Sequence, residues 1–220
     1  MKLYFVAFIF GLLAGCSTPT PQTTPQLVNV YVSSAAYPWV NDLYNCAPTS
    51  AVINLSDPMS ADVTMRIGVP DHLTTPSFQI SSEDILVIVH PQNGVTSLTL
   101  DQVRSIFLGQ VVNWTDVGGS DISIQVWSFS PNEDVQGIFS QAVMNGQPVT
   151  SLARLAVSAE SMVKAIEKNP GTVGILPRRL MTSGVKSVFI AAKAPVLIIT
   201  KSSPEEPITS LIGCLQQESH

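Results

Sequence analysis

Histidine and cysteine, the residues that most often ligate metals or act covalently, are scarce here: three of each in 220 residues. His72 lies in a polar stretch, His90 ends an apolar run before Pro91, and His220 is the last residue. None stands at a spacing that would build a Ser/His/Asp triad or a metal site. GxGxxG, Walker-type loops, CxxC pairs and HExxH are missing too. No cofactor and no metal is therefore expected, and an extracytoplasmic hydrolase has no residues behind it. Charge is also thin. Only 12% of residues are charged, with 11 basic against 16 acidic and a formal net charge of −5. That balance speaks against nucleic acid and against a polybasic membrane patch.

Long apolar runs are almost absent as well. The longest, LYFVAFIFGLL after Met1-Lys2, is too short to span a bilayer and suits the apolar core of a signal peptide. It ends in Leu13-Ala14-Gly15-Cys16, which resembles a bacterial lipobox. Residues 1–15 thus read as a lipoprotein signal peptide and Cys16 as the lipidated residue, against the alternative of an ordinary signal peptide with an incidental cysteine. Residues 16–26, with STPTPQTTPQ after Cys16, carry no charge and no large apolar side chain, so they read as a disordered tether. A lipid followed by a tether places a protein outside the cytoplasm, anchored at a cell membrane. Cys46 and Cys214 then remain as a pair, either disulfide-bonded in an oxidising compartment or buried as separate thiols.

The rest alternates strands with helices. LVNVYVSS (27–34), AVINL (51–55), ADVTMRIGV (61–69), DILVIVHP (84–91), ISIQVWSF (122–129), TVGIL (172–176), VKSVFIAA (185–192) and APVLIIT (194–200) read as strands. Helices are expected over 35–47, over 97–109 with a Thr99/Gln102 capping box and Gly109 as stop, and over 158–171 with Ser158 as cap. Another is expected from Ser130, and a last one from Ser203-Pro204-Glu205-Glu206 through Leu215. The alternation predicts an α/β fold, helices packed on mixed, mostly parallel sheets.

Within residues 84–139 the order of features becomes specific. D-I-L-V-I-V-x-P, L-T-x-D-Q-V-R-x-I-F-x-G, N-W-x-D-V-G-G and I-x-V follow one another, and NPGTVGIL (169–176) and PVLIITK (195–201) come later. Together they closely resemble the phosphate-binding protein of bacterial ABC transporters and its PBP-like (type 2 periplasmic binding protein) relatives. The resemblance implies two α/β lobes joined by hinge strands, with a ligand held in the cleft between them. Lobe 1 would comprise residues 27–88 plus 190–220, and lobe 2 residues 89–189. It also implies that the first and last segments share a lobe, which would let Cys46 meet Cys214. Taken alone, Leu98, Val103, Ile106, Phe107 and Trp114 read as core residues, and Gly109, Gly118 and Gly119 as turn residues.

The family grips phosphate with a segment Arg-x-x-x-Ser-Gly-Thr-Arg. Aligned on Trp127 and Phe139, this chain has Phe129 at the first arginine and Glu133-Asp134-Val135-Gln136 at the rest. Ser130 as N-cap, Pro131 at the first helical position and Glu133 three residues on predict a self-contained capping box. A carboxylate about 6 Å from a phosphate, at an effective dielectric of about 20, opposes binding by roughly 3 kcal/mol, about a hundredfold. The expected ligand is therefore a small molecule other than free phosphate. Ser33 and Ser34 match the family's hydroxyl loop loosely, or one of them caps a helix. Asp62, Ser130, Glu133 and Asp134 complete the expected ligand-binding set, with backbone hydrogen bonding for Asp62 and helix capping for the two later acids as alternatives. Arg178-Arg179 reads as an anion clamp or a solvated loop. The resemblance implies an ABC transporter permease as partner. The other reading is a degenerate binding fold acting as adaptor or sensor.

Overall fold

The computed structural model describes residues 24–218. The segment expected to be a signal peptide, Cys16 and most of the expected tether lie outside the described residues. Among the described residues no helix is long and apolar enough to cross a membrane.

Eight strands form one sheet in the order β2-β1-β3-β8-β4-β7-β5-β6. They are β1 (Gln26–Val32), β2 (Ala51–Leu55), β3 (Val63–Ile67), β4 (Ser77–Val89), β5 (Gln125–Ser128), β6 (Arg154–Leu155), β7 (Thr172–Pro177) and β8 (Lys186–Thr200). β1 pairs in parallel with β2 and β3, and β5 in parallel with β6 and β7. The middle of the sheet, β3-β8-β4-β7, is antiparallel. The expectation of mostly parallel pairing thus holds on the two flanks and fails at the centre. There the chain crosses between its halves and returns.

β4 and β8 are the crossing strands. The apolar run at 84–89 extends upstream to Ser77, and the two segments read as strands at 185–200 are one strand of 15 residues. Their ladder is irregular between Gln79 and Ser81, Ile85 and Leu86, and Val87 and Ile88. Such bulges bend and twist a long antiparallel ribbon. One half of β8 pairs with β3 and one half of β4 pairs with β7, so each strand serves both sides. This is the two-lobed α/β architecture that the sequence predicts.

Among the described residues five α-helices cover the sheet: α1 (Val40–Asn45), α2 (Leu100–Phe107), α3 (Asp134–Phe139), α4 (Ala159–Lys168) and α5 (Ile208–Glu218). α2 carries the predicted capping box: Thr99 accepts from the Gln102 amide, and the Gln102 side chain accepts from the Thr99 amide. Gly109 ends it at φ +75°, a left-handed conformation that glycine adopts without a Cβ clash. α4 starts on a Ser158/Ser161 box. The closing helix begins at Ile208 rather than at Ser203, because Glu206 and Pro207 form a turn ahead of it, closed by the Ile208 amide on the Glu205 carbonyl at 2.9 Å.

The core is continuous across both halves and includes Val28, Met65, Ile67, Leu86, Ile88, Phe107, Trp114, Phe139 and Ile175. The Phe107 and Phe139 rings lie 4.5 Å apart, and the buried Trp114 donates from Nε1 to the Gly171 carbonyl at 3.0 Å. α5 packs on β4 and α1. Cys214 of α5 is disulfide-bonded to Cys46 at the end of α1, with Cα atoms 5.5 Å apart.

Candidate functional site

Two parallel strands end side by side at the cleft. Tyr31 of β1 is in register with Thr64 of β3. Alternation sends Val28 and Val30 to the core, and Val63, Met65 and Ile67 likewise. Tyr31 and Ser33 therefore share the opposite face of the first strand line, and Thr64 and Arg66 that of the second. Ligands of open α/β sheets characteristically sit at the carboxyl ends of such strands. A cavity of about 150 Å³ lies there, lined by Tyr31, Ser33, Ser34, Thr64 and Arg66. Its other wall comes from the β5–α3 connection: Asn132, Glu133 and Asp134.

That connection departs from expectation. The Ser130/Glu133 capping box does not form. α3 starts three residues later, at Asp134, with Glu133 at the N-cap position and no side-chain cap hydrogen bond. Residues 130–133 make a turn instead, closed by the Glu133 amide on the Ser130 carbonyl at 3.0 Å. The physical reason is competition for the Asp134 carboxylate. Its Oδ1 accepts from Arg66 Nη2 at 2.5 Å, and its Oδ2 accepts from the Ile67 amide at 3.2 Å. The Asp134 side chain is 6% exposed and that of Arg66 is 28% exposed. So the carboxylate serves β3, in the other half of the molecule, and not its own helix.

Gln136, the residue aligned with the family's last site arginine, is buried, and its Oε1 accepts from the Phe129 amide at 3.0 Å. It fastens the turn internally. Gly68 follows directly at φ +80°, with its amide donating to the Pro195 carbonyl at 2.7 Å. A Cβ there would stand 3.0 Å from the Ile138 side chain, so β3 and α3 approach as closely as glycine permits.

The other expected site residues divide. Ser33, Ser34, Glu133 and Asp134 are brought together around the cavity. Ser33 has the backbone of an N-cap for the 3-10 turn Ser34–Trp39, yet its hydroxyl caps nothing. Ser130 and Asp62 are not among the cavity's lining residues. Asp62 accepts from the Asn29 amide at 3.0 Å and the Asn29 side-chain amide at 3.1 Å, the backbone service foreseen as its alternative.

Arg178 and Arg179 form no clamp; both stay exposed at the surface, as the solvated alternative has it, and each makes an ion pair there. Arg178 pairs with Asp84 at 2.9 Å. Arg179 pairs with Asp42 at 2.8 Å and lies 4.4 Å over the Trp39 ring, tying the end of β7 to α1. The Arg179 amide donates to the buried Glu83 at 3.1 Å. Burial pushes the Glu83 carboxyl above the usual glutamate range, partly offset by the amides of Arg179 and Arg178 and by the Arg179 charge. His90 accepts from the Gln92 amide at 3.0 Å, a turn-forming role. Among the described residues there is no cluster able to hold a metal ion.

Sequence reasoning missed Arg66. Its signal was present: a single cation in VTMRI, two residues from Thr64 on the polar side of an otherwise buried strand.

A family profile described as a PBP superfamily domain matches residues 40–183, well over half of the chain. This chain belongs to the PBP superfamily. The phosphate-binding protein PstS of Bacillus subtilis is 25% identical over 105 residues, which span 47% of this chain and 34% of that protein. The match thus covers only about a third of the length of that relative. Among solved structures, a phosphate ABC transporter substrate-binding protein from Clostridium perfringens with bound phosphate superposes with a TM-score of 0.77 at 17% identity, covering 86% of this chain and 93% of that one. An ABC-type phosphate transport receptor from Vibrio cholerae gives 0.69 at 19% identity over 86% of this chain and 93% of its own. These structures share the PBP fold with this chain.

Proposed function

We propose that this PBP-superfamily chain is an extracytoplasmic solute-binding lipoprotein, tethered through Cys16, that captures a small solute other than free phosphate. Residues 27–88 plus 190–220 serve as one lobe and residues 89–189 as the other, with β4 and β8 as hinge strands. A transporter permease is the partner that such a protein would feed. The observation that carries the ligand reading is the Asp134 carboxylate on Arg66 and the Ile67 amide. The guanidinium best placed to grip an oxyanion already holds a carboxylate from the chain itself. Glu133 adds a second negative group to the same cavity. A dianion entering here meets one neutralised cation and one free acid, a disadvantage of roughly 3 kcal/mol.

The test is thermal unfolding with a panel of oxyanions, sugars, amino acids and polyamines, since a ligand that binds only the native state raises Tm by mass action. Millimolar phosphate is expected to leave Tm unchanged while at least one other solute raises it. A rise of several degrees with phosphate overturns the reading.

The same ion pair supports a second reading, a binding fold occluded by its own carboxylate and acting as an adaptor or sensor. Silence across the whole panel favours that one.

A further inference from the structure

The acidic surplus of the chain is not spread evenly. Residues 27–88 plus 190–220 carry nine acidic side chains against three basic ones, whereas residues 89–189 carry seven of each. Within that neutral half, three cations gather at one end of the sheet. Trp127 of β5 is in register with Arg154 of β6, the last strand in the sheet order, so the two side chains share a face. A groove of about 320 Å³ runs between them and α4, where Lys164 and Lys168 stand one turn apart, and no acidic residue lines it. Arg154 and Lys168 enter none of the ion pairs among the described residues. Lys164 pairs with Glu160 at 2.6 Å on the exposed side of α4, where such pairs hold weakly. The same end of the sheet carries aliphatic side chains into solvent. Of the large apolar residues among those described, Val157, Leu152 and Leu155 are three of the four most exposed, at 92%, 80% and 63%. All three lie within six residues, on either side of Arg154. Exposed aliphatic groups bordered by cations mark an interaction surface.

We infer that this end of the sheet rests on an anionic phospholipid surface. Arg154, Lys164 and Lys168 take the headgroup phosphates, Trp127 lies at headgroup level, and Leu152, Leu155 and Val157 enter the acyl boundary. Charge complementarity selects anionic lipid over neutral lipid. Shape selects a bilayer over a folded protein. The aliphatic side chains project from a sheet edge and the turn before it, which a fluid surface accepts anywhere and a rigid partner only through matching sockets. The net charge of the whole chain argues against such a patch; the fold creates it locally by bringing residues 127, 154 and 164–168 together. None of the groove's residues lines the cavity beside Arg66, so docking and solute capture are independent. The contact adds to the anchor proposed at Cys16 and holds without it.

The experiment follows tryptophan fluorescence of the full chain mixed with vesicles of brominated phosphatidylcholine, with and without about 30% phosphatidylglycerol. Quenching is expected only with the anionic lipid and is expected to vanish in Trp127→Phe, because Trp39 and Trp114 are buried. About 0.5 M salt is expected to release it. A cation near such a surface strengthens binding about fivefold, so Arg154→Glu with Lys164→Glu and Lys168→Glu is expected to weaken it by at least about a hundredfold. Leu155→Ser with Val157→Ser is expected to weaken it too, leaving the salt dependence as it was. Circular dichroism reports folding; should the charge reversal unfold the protein, glutamine at the same three positions gives the same test. A lipid on Cys16 acts alike in every vesicle and variant, so failure of the anchor reading leaves these differences intact. Equal quenching by neutral vesicles, or quenching untouched by the triple variants, overturns the docking. Absence of quenching also overturns it, and self-association lost in the triple variant would then give the patch to a second copy of the chain.

Discussion

Asp134 and Arg66 belong to opposite halves of the molecule, 68 residues apart in sequence, and they meet inside the cleft. Their pairing is an internal version of the contact that an oxyanion ligand would make. It also joins the first turn of α3 to the end of β3, so one side chain both occupies the guanidinium and ties the two halves together.

Removing that carboxylate separates the two effects. Asp134→Ala leaves Arg66 partly buried without its partner, which is expected to lower stability by on the order of 3 kcal/mol in urea denaturation. It also frees the guanidinium. The variant is expected to gain a thermal shift with millimolar sulfate or phosphate that the parent lacks. A variant that loses stability and stays indifferent to oxyanions shows that the ion pair does not govern anion access.

The Cys46–Cys214 bond links residues 168 apart in sequence. Closing so long a loop removes much of the unfolded chain's freedom, worth about 5 kcal/mol in the chain-entropy account. Reduction, or Cys46→Ser with Cys214→Ser, is expected to lower the denaturation midpoint accordingly, while circular dichroism of the native state stays unchanged.

Glu83 makes the pH dependence specific. Its folded carboxyl takes up protons more readily than the unfolded one, since burial raises it. Between the unfolded and folded values the native state binds more protons, so this group's contribution to stability falls as pH rises through that window. Below the ordinary glutamate value both states are protonated and the favourable contribution is fully present. Glu83→Gln keeps an acceptor for the Arg179 amide and removes the buried charge. It is expected to raise Tm at pH 7, with the gain fading toward pH 4. An advantage that grew on acidification would reverse the sign.

Gly68 tests the close approach of β3 and α3. Gly68→Ala combines φ +80° with contacts of 3.0 Å to Ile138. A loss of about 1–3 kcal/mol is expected in equilibrium denaturation, from the strained backbone and the displaced helix together.

Much of the fold was legible before any coordinates, because local signals and tertiary demands agree. Thr99/Gln102 and Ser158 cap their helices as read, and the buried run at Ile85–Val89 is a central strand. The errors lie where long-range contacts outweigh local preference. Ser130-Pro131-Asn132-Glu133 has the composition of a helix start, but Asp134 is drawn to Arg66 and the helix begins there. Ser33 has the type and backbone of a cap, yet its hydroxyl is buried and makes no cap hydrogen bond. Arg178 and Arg179 read as a clamp or a solvated loop and are exposed, but their ion-pair partners, Asp84 and Asp42, are remote in sequence and could not be foreseen. Arg66 escaped notice for the converse reason. An arginine in a short strand is unremarkable until neighbouring strands show which residues share its face.

β4 and β8 give the molecule a property beyond holding its cleft. Two uninterrupted ribbons, and no loose linker, carry the backbone from one half to the other. Any change in the angle between the halves would have to flex a ladder already irregular at Ser81, Leu86 and Ile88. Nor can the protein be dissected there: a fragment holding either half by itself would present the raw rim of a torn sheet to the solvent.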